Sequence, residues 1–125
     1  MFLARVLIFL ILPCVLTTCG ASNTGRVFRD KYITLIYRPP ADEHPTNVFL
    51  SGSFNDWHIG DPAFKCIWDP FEEGFSIGFS LEAGRYEYRF VVDGRWIYDP
   101  DARESAPDPL GGKLGVFYVM PADTQ

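Results

Sequence analysis

Two tryptophans and an arginine are the residues of this sequence whose types and spacing point most directly to chemistry. Trp57 ends the segment Val-Phe-Leu-Ser-Gly-Ser-Phe-Asn-Asp-Trp, and Arg89 and Trp96 lie in the later segment 84–100. An indole can stack on the C–H face of a pyranose ring, and a guanidinium can donate hydrogen bonds to sugar hydroxyls. If the fold brings the three side chains together, they could hold a sugar chain.

A two-residue turn fixes the expected position of Trp96. The Asp93-Gly94 pair lies between two β-like runs, which is a strong signal for a tight hairpin. The opposed pairs are then Val92 with Arg95, Val91 with Trp96, Phe90 with Ile97, and Arg89 with Tyr98. Because opposed residues share a sheet face, Trp96 is expected to point outward with Val91 and Arg89, the arginine lying about 7–8 Å away on the diagonal. For Trp57, the sequence leaves exposure and burial equally open.

Short β-like runs separated by turns cover the chain beyond residue 31. The expected strands are Tyr32–Tyr37, Val48–Phe54, Lys65–Trp68, 75–82, 85–92, the hairpin partner after Gly94, and Val116–Met120. Two of these runs alternate apolar and polar residues with a period of two, so one face of each is buried. Their inward side chains predict a core of Phe75, Ile77, Phe79, Tyr86, Tyr88, Phe90 and Ile97. Trp68 is expected to pack in the interior. The whole pattern predicts an all-β sandwich or barrel without a long helix.

The N-terminal residues are predicted to be a signal segment that lies outside the fold. Residues 6–16 are almost wholly apolar, but a membrane-spanning helix needs about 20 such residues. The run fits the apolar part of a secretory signal. The following Leu-Thr-Thr-Cys-Gly resembles a bacterial lipobox, in which the cysteine, here Cys19, becomes the lipidated N-terminus. Cleavage after Ala21 is the alternative, since Thr18 replaces the usual small residue.

This lipobox-like segment gives the expected organisation of the chain. Residues 1–18 are a lipoprotein signal peptide, residues 19–30 are a tether, and residues 31–121 are the folded domain. The lipid on Cys19 would anchor the protein to a bacterial cell envelope, on its periplasmic or extracellular face.

Composition argues against several kinds of function. The net charge is −5 and no Lys/Arg cluster occurs, so a nucleic-acid partner is not expected. His44, His58 and Cys66 match neither a metal-ligand spacing nor a catalytic signature. No metal, cofactor or catalytic residue is therefore predicted, and Cys66 is interpreted as a small buried apolar side chain.

Two acidic groups could suggest glycoside hydrolysis by composition alone. Acid–base catalysis on a glycoside requires two carboxyl groups that flank a cleft at a set distance. The candidates are Glu72-Glu73, beside a turn, and Asp99 with Asp101, after a strand. Both are interpreted as solvated loop charge, and the protein is not expected to be an enzyme.

Three segments together resemble one known family. They are Gly-Ser-Phe-Asn-Asp-Trp at 52–57, Leu-Glu-Ala-Gly-Arg-Tyr-Glu-Tyr-Arg-Phe at 81–90, and Val-Asp-Gly-Arg-Trp at 92–96 with the Asp-Pro that follows. In this order they are similar to carbohydrate-binding module family 48. That family includes the early-set domain of isoamylases and branching enzymes and the glycogen-binding domain of AMP-activated kinase beta subunits. The resemblance implies an immunoglobulin-like β-sandwich of the early-set type.

The resemblance also implies a set of binding residues. In the glycogen-binding members two tryptophans stack on α-glucan rings, a basic residue bonds to the sugar, and a leucine pierces the glucan ring or coil. The matching positions here are Trp57, Trp96, Arg89 and Leu110. A threonine and an asparagine that contact sugar hydroxyls in those members are replaced by Gly112 and Leu114. Two polar contacts are missing, so weak binding is expected.

Two classes of function follow from these observations. One is a non-catalytic module that binds an α-linked glucan of the glycogen or starch type on a membrane-tethered lipoprotein. The other is an early-set module that binds no glucan and acts as a structural or protein-interaction domain, with an envelope protein as partner. Exposure of Trp57 and Trp96 on one face, with Arg89 beside them, favours the first, whereas burial of either ring favours the second.

Overall fold

Nine β-strands make up most of the part of the protein that the computed structural model describes, residues 26–28 and 31–121. They are β1 (Arg26–Phe28), β2 (Tyr32–Tyr37), β3 (Val48–Gly52), β4 (Lys65–Asp69), β5 (Gly74–Ser80), β6 (Gly84–Val92), β7 (Arg95–Ile97), β8 (Glu104–Pro107) and β9 (Lys113–Val119). Two single 3₁₀ turns, Ser53–Asn55 and Pro62–Phe64, lie between β3 and β4. The predicted all-β fold class is confirmed. Cys19 and the predicted signal segment lie outside the described residues.

The strands form two sheets that share β4. The larger sheet runs in the order β1-β9-β6-β3-β4; β7 pairs with the C-terminal end of β6, on the same edge as β9, and β8 pairs with β9. The smaller sheet runs β4-β5-β2. Lys65 and Cys66 of β4 pair with β3, whereas Ile67–Asp69 pair with β5. Only the β1–β9 pair is parallel among these described strands. One strand therefore carries the chain from one layer of the sandwich to the other.

The core lies between the two sheets, on the faces that the alternating runs predict. Seven side chains were expected there: Phe75, Ile77, Tyr88 and Phe90 are buried, and Phe79, Tyr86 and Ile97 are partly buried against the same cluster. Strands β2, β3 and β9 complete the cluster with Ile33, Leu35, Tyr37, Val48, Leu50, Phe117 and Val119. Cys66 is buried among them, and burial raises the pKa of its thiol to about 12, so the thiol stays protonated and unreactive.

The β6–β7 hairpin has the predicted register. Val92, Val91 and Phe90 pair with Arg95, Trp96 and Ile97, and the two turn residues have the positive φ of 48° and 82° that such a turn requires. The Asp93 carboxylate also accepts the backbone N–H groups of Thr46 and Asn47. Val91 shares the outer face with Trp96, as the register predicts, but this valine is only 2% exposed. It lies between Phe49 of β3 and Trp96 of β7, whose large side chains flank it on the outer face.

Three strand assignments differ from the sequence expectation. Residues 19–30 were expected to be a tether, but Arg26–Phe28 form β1 beside β9. Phe28 packs edge-on against Phe117 with ring centroids 5.6 Å apart, which supplies the contact that holds this short strand. Strand β3 ends at Gly52 because a 3₁₀ turn follows it. Strand β8 was missed because its sequence, Glu-Ser-Ala-Pro, has little intrinsic β propensity.

A buried carboxyl group, that of Asp99, follows β7 in the chain. Asp99 is wholly buried, and its Oδ2 accepts the hydroxyl of Tyr88 at 2.5 Å while its Oδ1 accepts the backbone N–H of Asp101 at 2.9 Å. The interpretation of Asp99 as solvated loop charge is therefore wrong. Burial raises the pKa of the Asp99 carboxyl above its ordinary value, although the two hydrogen bonds oppose the rise.

We expect Tyr88→Phe to lower the free energy of unfolding by about 1–3 kcal/mol at neutral pH, because the Asp99 carboxylate loses a buried donor. Because the folded-state pKa of Asp99 is raised, this carboxyl group favours folding most below its ordinary pKa, and that contribution is lost as the pH rises through the folded-state pKa. The hydrogen bond from Tyr88 opposes the loss, since it favours the charged carboxylate. The substitution should therefore cost less at about pH 4, where Asp99 is partly neutral, than at about pH 7. Urea unfolding at both pH values measures the difference. An equal cost at both would show that Asp99 does not titrate in this range.

Candidate functional site

The loop after β3 is shaped by three residues of the 52–57 segment. A Cβ at Gly52 would lie 2.5 Å from the Glu87 carbonyl oxygen and from the Phe54 ring, so only glycine fits here. Phe54 turns inward and packs against Phe79 and Phe117, at centroid distances of 5.3 and 6.2 Å. Asn55 closes the turn, because its Oδ1 accepts the Gly52 N–H at 2.9 Å and its Nδ2 donates to the Leu50 carbonyl. The loop is therefore anchored both in the core and in β3.

Trp57 is held at the end of this loop in an unusual backbone conformation. Asp56 and Trp57 both have positive φ, of 52° and 57°, in the left-handed region that non-glycine residues avoid. The Trp57 N–H donates to the Gly52 carbonyl oxygen at 3.0 Å, which fixes this conformation. Backbone strain of this kind collects at functional sites, where the surrounding contacts enforce it. The indole is half-buried and faces β7.

The β6–β7 hairpin brings the second tryptophan beside the first. Trp96 is 40% exposed, and its ring centroid lies 6.5 Å from that of Trp57, with the two planes tilted by 52°. Both rings line the same concavity. The pair forms an angled aromatic platform rather than a flat one.

Arg89 connects this platform to the β8–β9 loop. Its Nε donates to the Lys113 carbonyl oxygen at 2.8 Å, and its Nη2 donates to the Gly111 carbonyl oxygen at 3.0 Å. Its Nη1 lies 3.2 Å from the Asp108 carboxylate, and both side chains of this ion pair are only 15% exposed. The guanidinium thus makes two hydrogen bonds and one ion pair, all to residues 108–113.

The β8–β9 loop presents Leu110 to solvent. Leu110 is 96% exposed, and its backbone N–H donates to the Asp108 carboxylate at 2.9 Å. Asp108 also donates its own N–H to the Gly112 carbonyl oxygen and accepts the Gly111 N–H. The position of Leu110 therefore depends on backbone bonds within the loop and not on packing.

These elements enclose one open concavity of about 660 Å³. Its lining includes all four side chains that the sequence and the resemblance singled out, together with Glu87, Asp108 and Leu114. The charged groups are paired, since Glu87 lies 3.1 Å from Arg85 and Asp108 lies beside Arg89. An apolar lining with a few fixed polar groups suits a neutral ligand with both apolar faces and hydroxyl groups.

Arg85, and not Arg89, pairs with Glu87, while Arg89 pairs with Asp108. One tryptophan differs from its sequence interpretation. Trp68 was expected in the interior, yet it is 49% exposed and packs only one edge against Phe75. Trp68 lies on β4 and does not line the concavity.

Sequence reasoning missed Asp108 as a site residue. The signal that could have found it is the Asp-Pro pair, which occurs four times, at 61, 69, 99 and 108. In each case the aspartate Oδ1 accepts the backbone N–H two residues later, at 2.9 to 3.0 Å. The pairing of Asp108 with Arg89 spans 19 positions of sequence and could not be inferred from the dipeptide.

Residues 42–125 match the family described as the glycogen recognition site of AMP-activated protein kinase, which is most of the chain. The chain belongs to this family. The resemblance drawn from the three sequence segments is thereby confirmed. The immunoglobulin-like sandwich and the carbohydrate-binding character of the module agree with membership of the glycogen-recognition family.

Relatives with this module are kinase subunits. The chain is 42% identical to the 5'-AMP-activated protein kinase subunit beta-2 of Homo sapiens over 76 residues, which cover 61% of this chain and 26% of the relative. It is 33% identical to the subunit beta-1 of Rattus norvegicus over 95 residues, which cover 69% of this chain and 33% of the relative. The chain thus spans about a quarter to a third of these curated relatives.

Other kinds of site are not found in the described part of the chain. Residues 26–28 and 31–121 contain no group of three or more His, Cys, Asp or Glu side chains that could hold a metal ion. Among the same residues, no helix has the length and apolar character needed to cross a membrane.

The two departures from the glycogen-recognition pattern have structural reasons. Gly112 has a φ of 82°, which strains any residue with a Cβ, and a Cβ there would lie 2.7 Å from Arg89 Nη2, so a threonine would also require the arginine side chain to shift. Leu114 is 5% exposed and lines the concavity with an apolar side chain.

Restoring the threonine should therefore harm the protein. We expect Gly112→Thr to lower the free energy of unfolding by about 1–2 kcal/mol, the cost of a left-handed conformation for a residue with a Cβ. The matched control is Lys113→Thr, one residue later on β9, where the strand conformation accepts threonine. Chemical denaturation compares the two variants. A Gly112→Thr protein as stable as wild type would contradict the stated backbone constraint.

Proposed function

We propose that this domain binds an α-linked glucan of the glycogen or starch type through Trp57, Trp96, Arg89 and Leu110. The observation that supports the proposal most is the meeting of these four side chains around one concavity, although they come from two loops and two strands. Membership of a glycogen-recognition family supports the substrate class. Both indoles line the concavity beside Arg89, one half-buried and one exposed, which favours this function over the alternative, a module that only contacts an envelope protein.

The geometry suits a curved sugar chain. Two indoles whose planes differ by 52° can stack on two sugar rings that are inclined to each other, as successive rings in a coiled α-glucan are. Leu110 extends its apolar side chain into solvent at the rim, where it can enter the hollow of a coil or ring. The Arg89 guanidinium, which lines the concavity, can donate to hydroxyl groups and set the orientation.

Binding should be weak. Gly112 and Leu114 supply no polar side chain, and each lost hydrogen bond is worth about 1 kcal/mol. A dissociation constant near the millimolar range, or about −4 kcal/mol, is the expected affinity.

The proposed role is non-catalytic. A glycosidase requires one carboxyl group that donates a proton and a second that acts as base or nucleophile. The two carboxylates that line the concavity are Glu87 and Asp108, and each faces an arginine. Both carboxylates are thus engaged in ion pairs and do not face each other across a cleft as a free acid–base pair would.

We further propose that Cys19 carries a lipid that anchors the domain to a bacterial cell envelope. The support is the short apolar run at 6–16 followed by Leu-Thr-Thr-Cys. Two or more acyl chains give stable attachment, whereas one does not.

Trp96→Ala should abolish retention on an α-glucan matrix and leave the fold intact, because this outward indole contributes little to the core. Affinity electrophoresis in glycogen and amylose gels, with β-cyclodextrin as soluble competitor, measures retention. The matched control is Trp68→Ala, which removes an equally exposed indole outside the concavity and should be retained like wild type.

Two results would contradict the proposed glucan site. One is a wild-type domain that runs unretarded on every α-glucan, which would favour the alternative function of a protein-interaction module. The other is a Trp96→Ala protein that unfolds, which would make the indole a core residue.

Cys19→Ser should remove metabolic palmitate labelling when the full chain is expressed in bacteria, because the thiol is the proposed acceptor. Cys14→Ser, within the same apolar segment, is the matched control and should be labelled normally. Equal labelling of wild type and Cys19→Ser would exclude Cys19 as the lipid site.

A further inference from the structure

We infer, in a step that rests on the proposed function, that Asp108 is a positioning residue that holds Arg89 and Leu110 in the conformation that binds the glucan. Asp108 lines the concavity between them. Its Oδ1 accepts the Leu110 N–H at 2.9 Å, and its Oδ2 lies 3.2 Å from Arg89 Nη1. One carboxylate thus connects the polar group and the apolar group of the site.

Leu110 needs such a support because packing does not hold it. The side chain is 96% exposed, so almost no apolar contact opposes rotation of the loop. Its two following residues, Gly111 and Gly112, have φ of 108° and 82° and place no side chain that could limit the backbone. The Asp108 side chain therefore supplies an interaction that defines where Leu110 points when no ligand is present.

Arg89 depends on the same carboxylate. The ion pair is 85% removed from solvent on both sides, where a charge–charge contact is stronger than at an open surface. The other two bonds of Arg89 end on Gly111 of the loop and on Lys113, the first residue of β9. Loss of Asp108 would leave a poorly solvated guanidinium without its counter-charge, and the loop carbonyl groups that it binds would lose their fixed position.

Another Asp-Pro turn allows the positioning role of Asp108 to be distinguished from the effect of losing a turn hydrogen bond. Asp69 is the closest counterpart, because its Oδ1 also accepts an N–H two residues on at 2.9 Å and the residue presented, Phe71, is 97% exposed. Asp69 does not line the concavity with Arg89. Asp69→Ala therefore removes the same kind of turn bond and serves as the matched control for Asp108→Ala.

The test measures β-cyclodextrin binding to the folded domain by isothermal calorimetry. We expect Asp108→Ala to weaken binding about tenfold, the loss that corresponds to one charge-assisted bond. Asp108→Asn keeps the acceptor for Leu110 but not the charge for Arg89, so it should weaken binding about threefold. Asp69→Ala should bind like wild type. Equal affinities for wild type and Asp108→Ala would overturn the inference.

A double-mutant cycle shows whether Asp108 acts through Leu110. In a Leu110→Ala background, Asp108→Ala should cost clearly less affinity than it does alone, since part of what it positions is gone. Fully additive losses would overturn the positioning role. Amide hydrogen exchange without ligand gives a second readout, in which Asp108→Ala should speed exchange at Leu110 and Gly111. Unchanged exchange there would also overturn it.

The same measurements distinguish failure of the proposed glucan binding from failure of the positioning role. A wild-type domain that binds no α-glucan overturns that function, and the positioning role with it. A wild-type domain that binds while Asp108→Ala binds equally well overturns the positioning role alone.

Discussion

The alternation of side chains along β6 is the constraint on which both the core and the site depend. This strand is hydrogen-bonded to β3 on one side and to β9 and β7 on the other, so its register is fixed from both edges. Tyr88 and Phe90 point into the core, and Glu87 and Arg89 point into the concavity. A slip of one residue would bury the arginine and expose the aromatic rings, at a cost far above the stability of a small domain.

Two turns position the remaining binding side chains. Trp57 follows the partly buried Phe54 and has a left-handed backbone conformation, and the backbone N–H of Leu110 is bound by the carboxylate of Asp108. Both arrangements keep apolar side chains in contact with water, which is unfavourable unless a ligand covers them. The concavity thus leaves apolar side chains accessible to water, and a sugar chain with apolar ring faces is a ligand that would cover them.

Comparison with the glycogen-recognition pattern shows how one residue type constrains another. The Arg89 guanidinium contacts Asp108 and Gly111 of the β8–β9 loop and Lys113 at the start of β9, a set of contacts that its planar group with five N–H donors allows. A Cβ at position 112 would lie 2.7 Å from Arg89 Nη2, and the φ of 82° there favours glycine. Glycine at position 112 thus suits both the backbone conformation and the close approach of Arg89.

Local patterns in the sequence determined most of the fold. Period-two alternation gave the core faces of β5 and β6, and Asp93-Gly94 gave the hairpin register that exposes Trp96, because both signals depend only on near neighbours. Tertiary structure alone decided the rest. It placed Arg26–Phe28 beside β9, covered Val91, buried Asp99 under Tyr88, and joined Asp108 to Arg89. Each of these depends on contacts between residues far apart in sequence, whose energy is set by which surfaces meet and not by the residue types alone.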